Sequence, residues 1–152
     1  MIDKSNILVI GSDHAGFMLK KFLIKKLENY GYKTKDFGTY SEASVDYPDI
    51  IHPLAEAIVH GKFNFGIIIC GTGNGVSMTA NKHSKIRAAL CWNKKLAKFA
   101  RLHNNANIIA LPARFIRKKT ALKTVMKFLN TDFEQGRHKR RVEKISSKQV
   151  EI

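Results

Sequence analysis

A cysteine stands directly before a glycine-rich stretch in this chain: Cys70 is followed by Gly71-Thr72-Gly73-Asn74-Gly75. Three glycines in five residues let the backbone approach a ligand closely. The free N–H groups of a helix starting there suit a phosphate or a developing oxyanion. Taken alone, a cysteine closing an apolar run is most often a small buried hydrophobe, but beside a helix N-terminus its thiolate is favoured. The dinucleotide-binding fingerprint is not met. Val76 stands where its third glycine belongs, and no acidic residue follows to hold a ribose. The P-loop is also excluded, because no Gly-Lys-Ser/Thr follows. A ligand-binding loop is the better reading than a bare tight turn.

Two further groups could share that chemistry. Asp13-His14 follows the first apolar run, and His103-Asn104 lies within Arg101-Leu102-His103-Asn104-Asn105. Each has a plain alternative, a capping pair for the first and a helix stop for the second. Cys91, with no glycine loop after it, reads as structural, as do His52, His60 and His83. Near the C-terminus the chain reads Gly136-Arg137-His138-Lys139-Arg140-Arg141. On a helix, Arg137 and Arg141 are one turn apart and can clamp one phosphate with forked hydrogen bonds; a solvated basic face is the alternative.

The 152 residues carry 27 Lys+Arg against 12 Asp+Glu, a net charge of +15. Such charge invites a nucleic-acid reading, yet residues 134–152 contain no aromatic side chain on which a base could stack. The acidic side is sharper: no Asp or Glu occurs between Glu56 and Asp132. That span can hold no carboxylate base, no Asp-supported triad and no carboxylate-bound metal, so its chemistry must come from Cys, His, Ser, Thr, Asn or Lys. Two cysteines make neither a disulfide framework nor a four-ligand zinc site. The start, Met-Ile-Asp-Lys-Ser, lacks a signal-peptide pattern. No apolar run approaches the ~20 residues of a membrane span. The expected setting is a reducing cytoplasm.

These groups need elements to position them. Short apolar runs at Asn6–Ile10, Phe65–Cys70, Arg87–Cys91 and Asn107–Leu111, with a weaker one at Lys33–Phe37, predict strands. Helical spacing over Phe17–Tyr30, from Pro48 to Gly61, and over Val76–Asn81, Lys94–Leu102 and Arg117–Leu129 predicts helices between them, with a short one over His138–Ser147. Apolar strands without alternation predict a parallel sheet covered on both faces. The expectation is a single α/β domain over residues 1–152, a Rossmann-like three-layer α/β/α sandwich with a five-stranded parallel sheet. In such folds ligands sit beyond the carboxyl ends of the strands, and all three groups are expected at that one edge.

With these residues in view, the chain resembles the ribose-5-phosphate isomerase B family, which includes galactose- and allose-6-phosphate isomerases. The resemblance rests on Gly-Ser-Asp-His-Ala-Gly at 11–16, Asp46-Tyr47-Pro48, Cys-Gly-Thr-Gly-Asn-Gly at 70–75, Ala-Asn-Lys at 80–82, Arg-Leu-His-Asn at 101–104 and Gly-Arg-His-Lys-Arg-Arg-Val at 136–142. It implies an aldose–ketose isomerase acting on ribose 5-phosphate through an enediolate, in the non-oxidative pentose phosphate branch. Hexose 6-phosphate isomerase is the alternative, and a basic nucleic-acid-binding protein the alternative of another class. No metal or cofactor is implied. By resemblance Cys70 is the base, since the glutamate that some members place after the loop is Val76 here. Thr72 and the N–H groups of Gly71, Gly73, Asn74 and Gly75 stabilise the enediolate, and His103 opens the sugar ring. Asp13, Tyr47 and Asn104 line the sugar, and His14, Arg114, Arg137 and Arg141 hold the phosphate. Asn105 departs from an aspartate common in the family. A homodimer or tetramer is implied, with the basic segment 136–152 reaching across the dimer.

Overall fold

In the computed structural model, residues 2–145 are described. Five strands, β1 (Ile7–Ser12), β2 (Lys33–Asp36), β3 (Phe65–Cys70), β4 (Ala88–Leu90) and β5 (Ile108–Pro112), form one sheet in the order β2-β1-β3-β5-β4. Every pairing is parallel, with Ser12 opposite Ile69 and Cys70 opposite Pro112. Helices α1 (Phe17–Asn29), α2 (Tyr47–Val59), α3 (Asn74–Ala80), α4 (Lys94–Leu102) and α5 (Lys118–Leu129) alternate with the strands, and α6 (Arg137–Ile145) follows.

The pleat sorts the apolar side chains into two cores. Leu8, Ile10, Ile67, Ile69, Ile109 and Leu111 pack with Leu19, Leu23, Ala97, Ala121, Val125 and Phe128 on the side of α1, α4 and α5. Val9, Ile68, Cys70, Ile108 and Ala110 pack with Ile51, Leu54, Ala55, Val76 and Ala80 on the side of α2 and α3. The three central strands are therefore apolar on both faces, as a parallel sheet requires. The expected three-layer sandwich is present.

Some bounds differ from expectation. β2 is polar, with alternate residues exposed, because it is an edge strand with helices only partly over it. Its stability comes partly from Lys20 of α1, a fully buried side chain whose amine donates to Asp36 and, at 2.7 Å, to Thr39 O. Burial lowers the Lys20 pKa, and Asp36 opposes that shift. Helix α3 starts two residues earlier than its apolar pattern suggests. Gly73, at φ +76°, provides the left-handed turn before it, and a Cβ there would sit 2.4 Å from Leu90 Cδ1. The segment after α5 turns into α6 at Arg137; Ser146 and Ser147, in the expected last helix, and the rest of 146–152, part of the segment expected to cross a dimer, lie outside the described residues.

Candidate active site

The chain leaves β1 toward β2 on one side of the sheet and reaches β3 on the other. A crevice opens at such a switch point, beyond the carboxyl ends of the strands. Here β1 delivers Asp13 and His14, and β3 delivers Cys70 and the glycine loop. Together they line a cleft of about 450 Å³ with Tyr47, Gly71, Thr72, Gly75 and Arg114.

Cys70 is 4% exposed, and the Gly73 N–H donates to its Sγ at 3.1 Å. The Gly73 N–H is thus aimed at the sulfur. The other cysteine is a contrast: burial pushes the Cys91 thiol up to about 12. Asp13 has two jobs. Its carboxylate accepts from the Gly16 N–H at 2.9 Å, capping a short 3₁₀ turn over His14–Gly16, and it also lines the cleft. The capping alternative is thus real for Asp13 and compatible with a place in the cleft. His14 Nδ1 accepts from the Val45 N–H at 3.3 Å. That bond fixes the ring and leaves Nε2 as the protonated nitrogen of the neutral form.

Tyr47 opens α2 directly over the loop. A Cβ on Gly75 would lie 2.5 Å from Tyr47 Cζ, so only glycine lets the ring approach. Arg114 is carried by the turn after β5. Its N–H donates to Gly71 O at 3.0 Å, while the Ala113 N–H donates to Cys70 O at 2.9 Å. The loop and the arginine turn are therefore tied together. Gly73 packs against Leu90 and Leu111, and Asn74 faces an adjoining groove lined by Thr72, Leu90, Trp92, Pro112 and Phe115. The result is a partly enclosed thiol with a carboxylate, an imidazole and a guanidinium around one small cleft. Such a set can hold an anion at one end and move a proton at the other.

His103 and Asn104 do not join this cleft, which corrects the expectation of a single edge. A helix that follows a strand runs back against it, so the last turn of α4 lies at the amino ends of the strands. There the Asn107 N–H donates to Arg87 O near the start of β4. Arg137 and Arg141 on α6 are likewise outside the cleft of their own chain. Instead, α6 begins beside His103: the rings of His103 and His138 stack with centroids 4.1 Å apart. Asn104 lines a separate groove with Leu90, Phe99 and Ile145. Among these neighbours, the buried Arg101 donates to Ala106 O (2.6 Å), Asn105 Oδ1 (2.9 Å) and Thr131 O (3.2 Å). Burial first, and then Arg87, lowers its pKa to about 10.

Sequence reasoning missed three contributors. Ser44 and Val45 line the cleft from a loop with no periodic pattern, and the Val45 N–H bonds to His14. Glu134 carries no motif in the sequence, yet its carboxylate lies 3.5 Å from His103 Nε2.

Comparison with known proteins follows this geometry. The family model described as Ribose/Galactose Isomerase matches residues 8–145. Ribose-5-phosphate isomerase B of Escherichia coli is 38% identical over 140 residues, covering 92% of this chain and 94% of that protein. A ribose 5-phosphate isomerase structure from Thermotoga maritima superposes with a TM-score of 0.91 at 47% identity, covering 93% of this chain and 97% of that one. The Mycoplasma genitalium enzyme, solved with bound ribulose 5-phosphate, gives a TM-score of 0.87 at 41% identity, covering 91% and 93%. With a match that spans both the Cys70 loop and the start of α6, the chain belongs to the ribose/galactose isomerase family.

Proposed function

We propose that this protein interconverts ribose 5-phosphate and ribulose 5-phosphate, the aldose–ketose step of the non-oxidative pentose phosphate branch, in the cytoplasm. The observation that carries the reading is the enclosed Cys70 sulfur, held by the Gly73 N–H in a cleft with Asp13 and Arg114. The ribulose 5-phosphate bound by the related Mycoplasma genitalium enzyme supports the choice of sugar.

The reaction needs a base beside C2 of the open-chain aldose and donors for the oxygen that becomes negative. The Cys70 thiolate takes the C2 proton, and the C–H electron pair forms the C1–C2 double bond of an enediolate. The C1 carbonyl oxygen takes up the displaced charge. Thr72 and the N–H groups of Gly71 and Gly75 stabilise that charge as it develops, while the Gly73 N–H stays on the Cys70 sulfur and the Asn74 N–H on Thr72 Oγ1. A proton shifts from O2 to O1, and Cys70 returns its proton to C1, leaving a ketone at C2. Asp13 and Tyr47 grip sugar hydroxyls, while His14 and Arg114 hold the phosphate. Binding the unreactive phosphate orients the reacting carbons.

His103, Asn104, Arg137 and Arg141 complete the site from a second copy of the chain. His103 opens the sugar ring, Asn104 contacts the sugar, and the two arginines add to the phosphate site. This requires a homodimer in which α6 reaches the partner's cleft. Exposed Met78, Trp92, Phe115 and Ile145, together with the open edge at β4, support an apolar interface. The test is a substrate comparison. Purified protein should convert ribose 5-phosphate with a kcat/KM at least about tenfold above that for allose 6-phosphate or galactose 6-phosphate. The opposite order would make it a hexose phosphate isomerase.

A further inference from the structure

His103 sits at the end of α4, where a surface histidine would ordinarily sample several rotamers. Here two neighbouring rings hold it. His138, itself buried, stacks on one face with centroids 4.1 Å apart and the planes 6° from parallel. Phe99, one helical turn back, leans on the ring at 4.9 Å and 40°. The edge is held as well: Glu134 Oε2 lies 3.5 Å from His103 Nε2 and 3.8 Å from His138 Nε2.

The carboxylate is not there by the reach of a loose side chain alone. The Glu134 N–H donates to Leu102 O at 3.0 Å, pinning the segment before α6 onto the last turn of α4. Arg101 ties the same two segments through Thr131 O. Asn105, two residues after His103, has its Oδ1 already occupied by Arg101 Nη1 at 2.9 Å.

Two histidines and a carboxylate this close also raise the question of a metal. The parallel rings argue against one, because their nitrogen lone pairs run side by side instead of converging on a tetrahedral centre.

We propose that Glu134 and His138 are positioning residues for His103, the carboxylate fixing the Nε2 edge of the ring and the stacked imidazole fixing its plane. The proposal rests on the isomerase reading and extends it to side chains that do not touch substrate. An acid/base group works only within hydrogen-bond reach of its proton and in the right orientation, so a clamp of this kind acts on rate more than on binding.

The test uses full-length protein and ribose 5-phosphate carrying deuterium at C2, since a slowed ring-opening step precedes and masks the C2 proton transfer. Glu134→Gln should lower kcat from ribose 5-phosphate by about tenfold or more, with KM changed less than about twofold. The isotope effect of C2 deuteration on kcat/KM should fall toward one in that variant, because opening and not proton transfer then limits the rate. His138→Phe, which keeps a flat ring on His103, should retain most of the activity that His138→Ala loses. An isotope effect unchanged or larger in Glu134→Gln, or no loss of rate in Glu134→Gln and His138→Ala, would overturn the proposal while the wild type remains active. A wild type inactive on ribose 5-phosphate would instead remove the isomerase reading beneath it.

Discussion

Cys70 and Cys91 show how placement decides the use of a side chain. Cys70 ends β3, Cys91 directly follows β4, and both are buried. Only Cys70 is followed by a loop that turns an N–H onto its sulfur, whereas burial alone acts on Cys91 and pushes its thiol up to about 12. That difference was legible in the sequence, because the glycines adjoin Cys70 in the chain. The contributions of Val45 and Glu134 were not, because each acts through a partner 31 residues away in the same chain, with no local pattern to mark the pairing. Gly75 gives a prediction at this scale. In Gly75→Ala the new methyl meets the Tyr47 ring, at 2.5 Å from Cζ, so the ring must move from over the loop. We expect kcat/KM to fall by about a hundredfold, with thermal stability lowered by only roughly 1–3 kcal/mol. Unchanged kinetics would show that Tyr47 does not shape the cleft.

Helices and strands were read from periodicity, and the reading held where burial is strongest. β1, β3 and β5 are runs of Ile, Val, Leu and Ala that a sheet covered on both faces demands. It was weakest where a special backbone geometry decides, as at the left-handed Gly73. The placement of His103 failed for a topological reason: its helix was recognised, but the direction in which a helix returns puts its end at the opposite edge from Cys70. Helix α6 carries a prediction of its own. Burial first, then the charges of His103, Arg137 and Arg141, lower the His138 pKa, against an opposing pull from Glu134. The unfolded chain then binds the proton more readily than the folded one. Stability is unaffected well above pH ~6.5, the ordinary histidine value, and declines as pH falls through the interval between that value and the lower folded one. Thermal unfolding followed from pH 7.5 to 5.5 should show a steeper decline for wild type than for His138→Phe. Parallel declines would mean that His138 is as easily protonated in the folded protein as in the unfolded chain.

At the scale of the whole molecule, the division of site residues between two ends of the sheet is the main consequence. One chain places Cys70, Asp13, His14, Tyr47 and Arg114 at one end and His103, Arg137 and Arg141 elsewhere. A symmetric pair of chains would bring the two sets together twice. Cys70→Ala and His103→Ala, each inactive on ribose 5-phosphate, should then regain activity when co-refolded. Random pairing makes half the dimers mixed, and each mixed dimer has one intact site of two, giving about a quarter of wild-type activity. No recovery, with mixed dimers demonstrated by mass, would place both residues in a site built within one chain. The net charge of +15 fits the same picture: Arg114, Arg137 and Arg141 are assigned to one phosphate, and the remaining surface charge favours the approach of an anionic sugar.

The central claim is that Cys70 moves the proton between C1 and C2. It is tested most directly by the initial rate of ribulose 5-phosphate formation from ribose 5-phosphate, measured for wild type and Cys70→Ala at equal folded concentration. Wild type should turn over, and the variant should lose about a thousandfold or more in kcat, the scale of a missing general base. A Cys70→Ala protein that isomerises ribose 5-phosphate at close to the wild-type rate would contradict the account.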